Sequence, residues 1–335
     1  MPDILTHVYC ADFARKNFEN TTVMRQIIDR HIPAFYLGSQ GPDFLFYFRV
    51  WPWKKDMGVP KLADFVHKTK TSEFLGTAID TLKEVDLASD DGQMILAYWM
   101  GFICHYALDS TAHPYIYYHS GINKDETSKL NGDKHNHKYL ENIIDTLLIQ
   151  KYDHVVDLPR SQYACLPNKA SALMPVFDHV SMVFEKVYEH PLPPRVIHES
   201  VVDMKKLAGL MNDPKHRYRW LFGKAERIIS KPKYITTAAH PAKPEVQADF
   251  LNLAHNKWVH PCDVTIEYTD SFLDLFDQAM DKSVDLMTYA WDTFKNKHSK
   301  DDLMTYFGNF SYDTGLKCGD LRDLRFSDSL FTRHR

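Results

Sequence analysis

Apolar residues recur three to four positions apart along most of this chain, the period of a helix with a buried face. Ile4, Val8 and Phe13 or Ala14 share one side of a segment over residues 3–18, with His7 on or near that side. From residue 21 a second pattern, Val23, Ile27, Ile28, His31 and Ile32, runs as one helix to LGSQGPD, where Gly38, Gly41 and Pro42 end it and Asp43 closes a turn. The dense aromatic run FLFYFRVWPW that follows reads as a buried extended piece or as the wall of a pocket beside Asp43. After a break at Pro60, KLADFV opens a helix with His67 adjoining its apolar face, and another helix covers 71–83. The aspartates of DLASDDG are placed to cap a long apolar helix, which Pro114 is expected to end at or just before His113.

The polar, glycine-punctuated segment 119–134 reads as a surface loop. A helix with Leu140, Ile143, Ile144, Leu147 and Leu148 on one face follows, and helical periodicity continues over 173–188, 196–211, 216–229 and 272–294, the last capped by Asp270 or Ser271. The proline-rich joints at 191–194 and 240–244 read as connections within one body, and no strand-rich stretch or internal repeat interrupts the pattern. The pattern therefore predicts an all-α protein with a single domain over 1–335, in which 1–155 form the core and 156–335 complete it. The piece 250–261 concentrates His255, Trp258 and His260 and is expected to be a loop, an aromatic plug over the core placed to cover the mouth of a site.

Chemistry enters at residues 101–119, where His105, Asp109 and His113 recur every fourth position in an apolar, aromatic run. An i, i+4 step on an α-helix turns by about 400° and rises about 6 Å, so these side chains form one stripe. Imidazole and carboxylate are ligands for ions such as zinc, and a central aspartate can bridge two of them. His137 and Glu141 repeat the spacing on the next helix, while Asp145 reads as a solvated charge. With His7, Asp43 and His67 they make eight nitrogen or oxygen ligand candidates, enough for two or three zinc ions. Any one of these residues alone reads more simply as a hydrogen-bonded core group.

Composition changes this picture little. With 44% hydrophobic residues in 335 the chain can bury a large core, and a formal charge of -4 argues against a broad nucleic-acid-binding face or a stable nucleic-acid partner. Histidine is abundant at 18 residues. The five cysteines, Cys10, Cys104, Cys165, Cys262 and Cys318, form no CxxC pair, which suits neither a disulfide framework nor a thiolate zinc site. With no apolar signal core at the N-terminus, the expected location is cytoplasmic.

The order of these pieces, a histidine, a GPD turn, a histidine, GxxxHxxxDxxxH and HxxxE, resembles the zinc-dependent phospholipase C family. LGSQGPDFLFY and GFICHYALDSTAHPY carry most of the likeness. That family is related in fold to P1-type zinc nucleases and includes the metal domain of the glycosylphosphatidylinositol-specific phospholipase D. The resemblance implies a compact multi-helix bundle that hydrolyses phosphodiesters with two or three zinc ions. It places one zinc among Asp43, His67, His105 and Asp109, a second among His113, His137 and Glu141, and a third with His7, Asp109 and the chain's own N-terminus, which would be the secondary amine of Pro2 after removal of Met1. Asp43 would orient or deprotonate the attacking water, and Phe44, Tyr47 and Tyr106 would line the substrate pocket. The implied substrate is a phospholipid or another phosphodiester, met through transient membrane contact. The alternatives are a P1-type single-strand nuclease or phosphatase, or a non-catalytic metal-binding protein.

Overall fold

The computed structural model describes residues 3–51, 53–122, 132–211 and 248–331, and among these the architecture is all-α. The helices are α1 (Ile4–Lys16), α2 (Val23–Arg30), α3 (Ile32–Gly38), α4 (Val59–Val66), α5 (Thr71–Thr81), α6 (Asp90–Ser120), α7 (Gly132–Lys151), α8 (Gln162–Cys165), α9 (Met174–Tyr188) and α10 (Pro194–Met211). A two-stranded antiparallel hairpin, β1 (Trp258–His260) and β2 (Asp263–Tyr268), precedes α11 (Phe272–Phe294) and α12 (Lys300–Phe307). The expected helix over 216–229 and the joint at 240–244 lie outside the described residues, as does most of the loop expected over 119–134.

The central element is α6, 31 residues long and apolar on every side through its middle. Such a helix has no solvent face and must be surrounded. It packs against α1, α2, α3, α7, α9 and α11. The crossing with α3 is especially close. A Cβ on Gly38 would lie 2.0 Å from the Tyr98 carbonyl oxygen, and one on Gly101 would lie 2.0 Å from that of Phe35, so glycine at both positions lets backbone touch backbone. This approach brings the turn after α3, with Asp43, down onto the middle of α6.

Several local expectations are overturned, each for a physical reason. Pro114 does not end α6, which continues to Ser120. The proline deprives only the Ser110 carbonyl of its helical partner, and dense packing retains the helix around it: Gly315 packs on that carbonyl, and Lys282 of α11 donates to Ser110 Oγ at 2.8 Å. The helix expected from residue 21 to LGSQGPD is two helices, broken at His31 by Pro33 at the start of α3. FLFYF is not extended but begins with a 3₁₀ turn, Asp43–Tyr47. Pro60 lies within the first turn of α4, where its missing N–H is harmless, rather than before it. The cap of α6 is Ser89, which accepts from the Gly92 amide, and not one of the aspartates.

The piece 250–261 contains β1 and is not wholly a loop. Trp258 stacks on Tyr268 of β2 at 4.3 Å and meets Tyr115 of α6 edge-on at 5.4 Å. The aromatic plug is therefore real, but it covers the C-terminal part of α6 and not the mouth of the site.

Asp145 is also not a solvated charge. It is buried on α7 and accepts hydrogen bonds from the amides of Leu5 and Thr6 at 3.1 and 2.8 Å and from Thr6 Oγ1 at 2.6 Å. Asp3 caps α1 through the Ile4 amide at 2.8 Å. Two carboxylates thus satisfy the exposed donors at the start of α1 and fix where His7 stands. Asp145→Ala is expected to destabilise the protein by about 3 kcal/mol, because it leaves these buried donors without an acceptor; urea unfolding measures the change.

Candidate metal centre

Eight side chains from five elements come together, and four of them, Asp43, His113, His137 and Glu141, stand in the wall of one cleft. His7 comes from α1, Asp43 from the 3₁₀ turn and His67 from the residue after α4. His105, Asp109 and His113 come from α6, and His137 and Glu141 from α7. They fall into two groups. Ligand atoms of His7, Asp43, His105 and Asp109, all buried, lie within 4.8 Å of one another, and those of His113, His137 and Glu141 form a second set on the same criterion. His67 borders the first group, its Nε2 lying 3.0 Å from Asp43 Oδ1. His7 shares its group with Asp43 and His105 as well as with Asp109. Met1 and Pro2, assigned by resemblance to a third site, lie outside the described residues.

Asp109 stands at the centre of the first group. One carboxylate oxygen lies 3.3 Å from His7 Nε2 and the other 3.3 Å from His105 Nε2, and the two imidazoles stack at 4.7 Å. Yet among the described residues both ring nitrogens of His7, both of His105 and both oxygens of Asp109 are buried without a hydrogen-bond partner. The distances are close, but the angles do not make hydrogen bonds. A buried polar atom left unpaired costs about 1–3 kcal/mol, so six together are poorly explained by protein contacts alone. Their donor chemistry, imidazole nitrogen and carboxylate oxygen converging on one point, fits a zinc ion.

The second group makes the same case through tautomers. His113 Nδ1 faces the Tyr312 carbonyl at 2.9 Å, which can only accept, so the proton is assigned to Nδ1 and the lone pair to Nε2. That Nε2 lies 3.2 Å from His137 Nε2, which in turn lies 2.9 Å from Glu141 Oε1. Burial holds the His113, His137 and His105 imidazoles below their ordinary range, in the neutral form that metal binding requires. Burial works against the Glu141 carboxylate, but neighbouring positive charge, Lys138 included, and the contact with His137 keep it well below the usual carboxylate range. At the first group, burial, helped by the Asp109 charge, pushes Asp43 up to about 6. Burial opposes a charged His67, yet its bond to Asp43 raises it to about 9. His67 Nδ1 is fixed on the Ala63 carbonyl at 2.6 Å, which turns Nε2 toward Asp43.

The turn that delivers Asp43 depends on Gly41. Its φ of 53° is left-handed, and a Cβ there would lie 2.0 Å from a ring carbon of His105. Both conditions demand glycine.

Above the two groups opens a cleft of about 560 Å³ that includes Asp43, Tyr47, Lys68, His113, Lys138 and Glu141 in its wall. Of the three residues expected to line a substrate pocket, only Tyr47 does. Phe44 turns into the core, 2% exposed, and Tyr106 is fully buried with its hydroxyl donating to the Phe307 carbonyl. Phe46 and Tyr117 line the cleft instead. Tyr312 and Asp313, from the segment after α12, were not anticipated. The Tyr312 ring meets His67 and His105 edge-on at 5.3 and 5.2 Å, and Asp313 pairs with Lys68 at 3.2 Å in the cleft wall. Lys138 is a further omission: it reaches Asp3 Oδ1 at 2.9 Å and Glu141 Oε2 at 3.4 Å. Its position beside His137 was visible, but nothing in the spacing marked a cation there as part of the site.

Fold and site together define an all-α protein whose buried histidines and carboxylates are equipped to hold metal ions beneath an open cleft. The chain belongs to the zinc dependent phospholipase C family, whose sequence pattern matches residues 6–183. No curated protein and no solved structure matches it. The matched stretch carries all seven residues of the two groups and His67 beside them, while Tyr312 and Asp313 lie beyond it.

Proposed function

We propose that this chain is a zinc-dependent phosphodiester hydrolase of the phospholipase C kind. The observation that carries the reading is the set of six unpaired buried atoms on His7, His105 and Asp109, in a chain of this family. His7, Asp43, His67, His105 and Asp109 would hold zinc at one group, and His113, His137 and Glu141 at the other. When bound, the ions supply Lewis acidity that favours attack of water on phosphorus and charge that stabilises the departing alkoxide.

The protein's own groups do the rest. Asp43 stands in the cleft wall with an affinity for protons raised toward neutrality, which suits a group that orients water and takes its proton. In the metal-free structure His67 Nε2 contacts that carboxylate at 3.0 Å. Phe46 and Tyr47 give the wall apolar surface for a glycerol backbone. The cleft size and the formal charge of -4 favour a lipid headgroup over a long nucleic-acid strand. Among the described residues no helix is long and apolar enough to cross a membrane.

The test is an activity panel of zinc-loaded protein on phosphatidylcholine, other phospholipids and single-stranded DNA. Release of a phosphorylated headgroup is the expected result. Cleavage of DNA alone would assign the site to the nuclease branch, and no hydrolysis of any of them would leave a metal-binding protein without catalysis.

A further inference from the structure

Residues 49–58, between the 3₁₀ turn and α4, combine firm anchoring on one side with unusual exposure on the other. Arg49 and Met57 adopt left-handed φ values of 52° and 54°, sparsely populated for residues that carry a Cβ. From beneath, α10 fastens the segment. Asp203 accepts from the Arg49 amide at 3.1 Å and from Trp51 Nε1 at 2.8 Å, and Glu199 accepts from Arg49 Nε and Lys54 Nζ, both at 3.1 Å. With those polar groups engaged below, apolar ones face outward: Trp53 is 78% exposed, Met57 73% and Val50 40%. Trp53 stacks on Trp51 at 5.7 Å, so its indole is supported while its outer face meets solvent.

Three further features say what this surface fits. Val50 also belongs to the cleft wall, which makes the apolar tip continuous with the mouth of the metal centre. Lys55 and Lys61 are exposed beside it and form no ion pair among the described residues. The patch is a few side chains wide, far short of the roughly 800 Å² per partner that a stable protein interface buries. An indole with one wet and one apolar side, flanked by free lysines, matches the boundary layer of a bilayer, where tryptophan settles and lipid phosphates attract basic groups.

We propose that the apolar tip formed by Val50, Trp53 and Met57 docks the protein on a phospholipid bilayer, with Trp53 and Met57 entering the interface and Lys55 and Lys61 meeting lipid phosphates, so that the cleft opens toward the membrane. The proposal deepens the phospholipase reading above and rests on it for the purpose of docking. The experiment is flotation of the zinc-loaded full chain with vesicles of phosphatidylcholine and phosphatidylserine, alongside hydrolysis of a monomeric short-chain phosphatidylcholine. Wild type is expected to float. Trp53→Ser combined with Met57→Ser should reduce the bound fraction about tenfold or more, with hydrolysis of the monomeric substrate and the melting temperature unchanged. Lys55→Glu with Lys61→Glu should weaken flotation mainly on the phosphatidylserine vesicles. Hydrolysis of the monomer by wild type without flotation would overturn docking and leave the function standing. Flotation that depends on Trp53, without hydrolysis of any phosphodiester, would support docking and overturn the function. A dimer in sedimentation that the Trp53 and Met57 changes dissociate would assign the patch to a second copy of the chain and overturn the proposal.

Discussion

Asp109→Asn is expected to lower kcat/KM by about a thousandfold or more and to release zinc from the first group, where Glu141→Gln releases it mainly from the second. Asp109 is fully buried, and its two oxygens face two different imidazoles at equal distance. Asparagine keeps the shape but loses the charge and turns one acceptor into a donor, so it can serve at most one side. Metal content after dialysis, measured beside the kinetics, separates the two variants. Equal loss of metal in both would contradict a central role for Asp109. The metal-free proteins should rank the other way: without a metal, Asp109 is a buried charge close to the Asp43 carboxylate, so the asparagine variant should melt no lower than wild type.

Removal of zinc from the wild type has the second large expected effect, on stability as well as on activity. A ligand bound only by the folded state stabilises it by about 4 kcal/mol when present at a thousand times its dissociation constant. Chelation should therefore lower the melting temperature, and added zinc should restore it. The metal-free protein should also respond to alkali. Asp43 raises His67 from its ordinary 6.5 to about 9, against burial, so the protonated pair contributes stability that is fully present below pH 6.5 and lost as pH rises through about 9. Melting curves in chelator across that window should fall with pH. A flat profile would show that the Asp43 and His67 contact does not carry the metal-free fold.

The parts of this molecule that could be read from the chain are those whose information is local. His105, Asp109 and His113, and then His137 and Glu141, were singled out because an i, i+4 step places side chains on one helical stripe whatever the rest of the chain does. The structure brings His105 and Asp109 into one group and His113, His137 and Glu141 into the other. The helices themselves were legible for the same reason: the periodicity of 174–188 or 272–294 reports one buried face. What could not be read depends on tertiary contact. Pro114 predicts a stop because its local geometry disfavours helix, and only the packing of α11 and Gly315 around Ser110 reverses that. Asp145 looks like any charge on a helix until α1 is laid across it. The resemblance implies Phe44 and Tyr106 as pocket residues, but residues next to Asp43 and His105 on a turn or helix point to different sides. Tyr312 and Asp313 lie about two hundred residues from the histidines they touch, beyond the reach of any spacing argument.

The uninterrupted course of α6 through Pro114 has a consequence for how the site can vary. His105 and His113 are eight residues apart on a single rod, so the two halves of the centre are separated by about 12 Å of helix rise and held in fixed rotational phase. An insertion of one residue between them would swing one half by about 100° relative to the other, and no neighbouring loop could absorb the change. The span between the two halves is thus a property of helix pitch, a ruler the protein cannot shorten to suit a smaller substrate. Adaptation to different phosphodiesters is left to the cleft wall, where Phe46, Tyr47, Lys68 and Lys138 can change without disturbing the ruler.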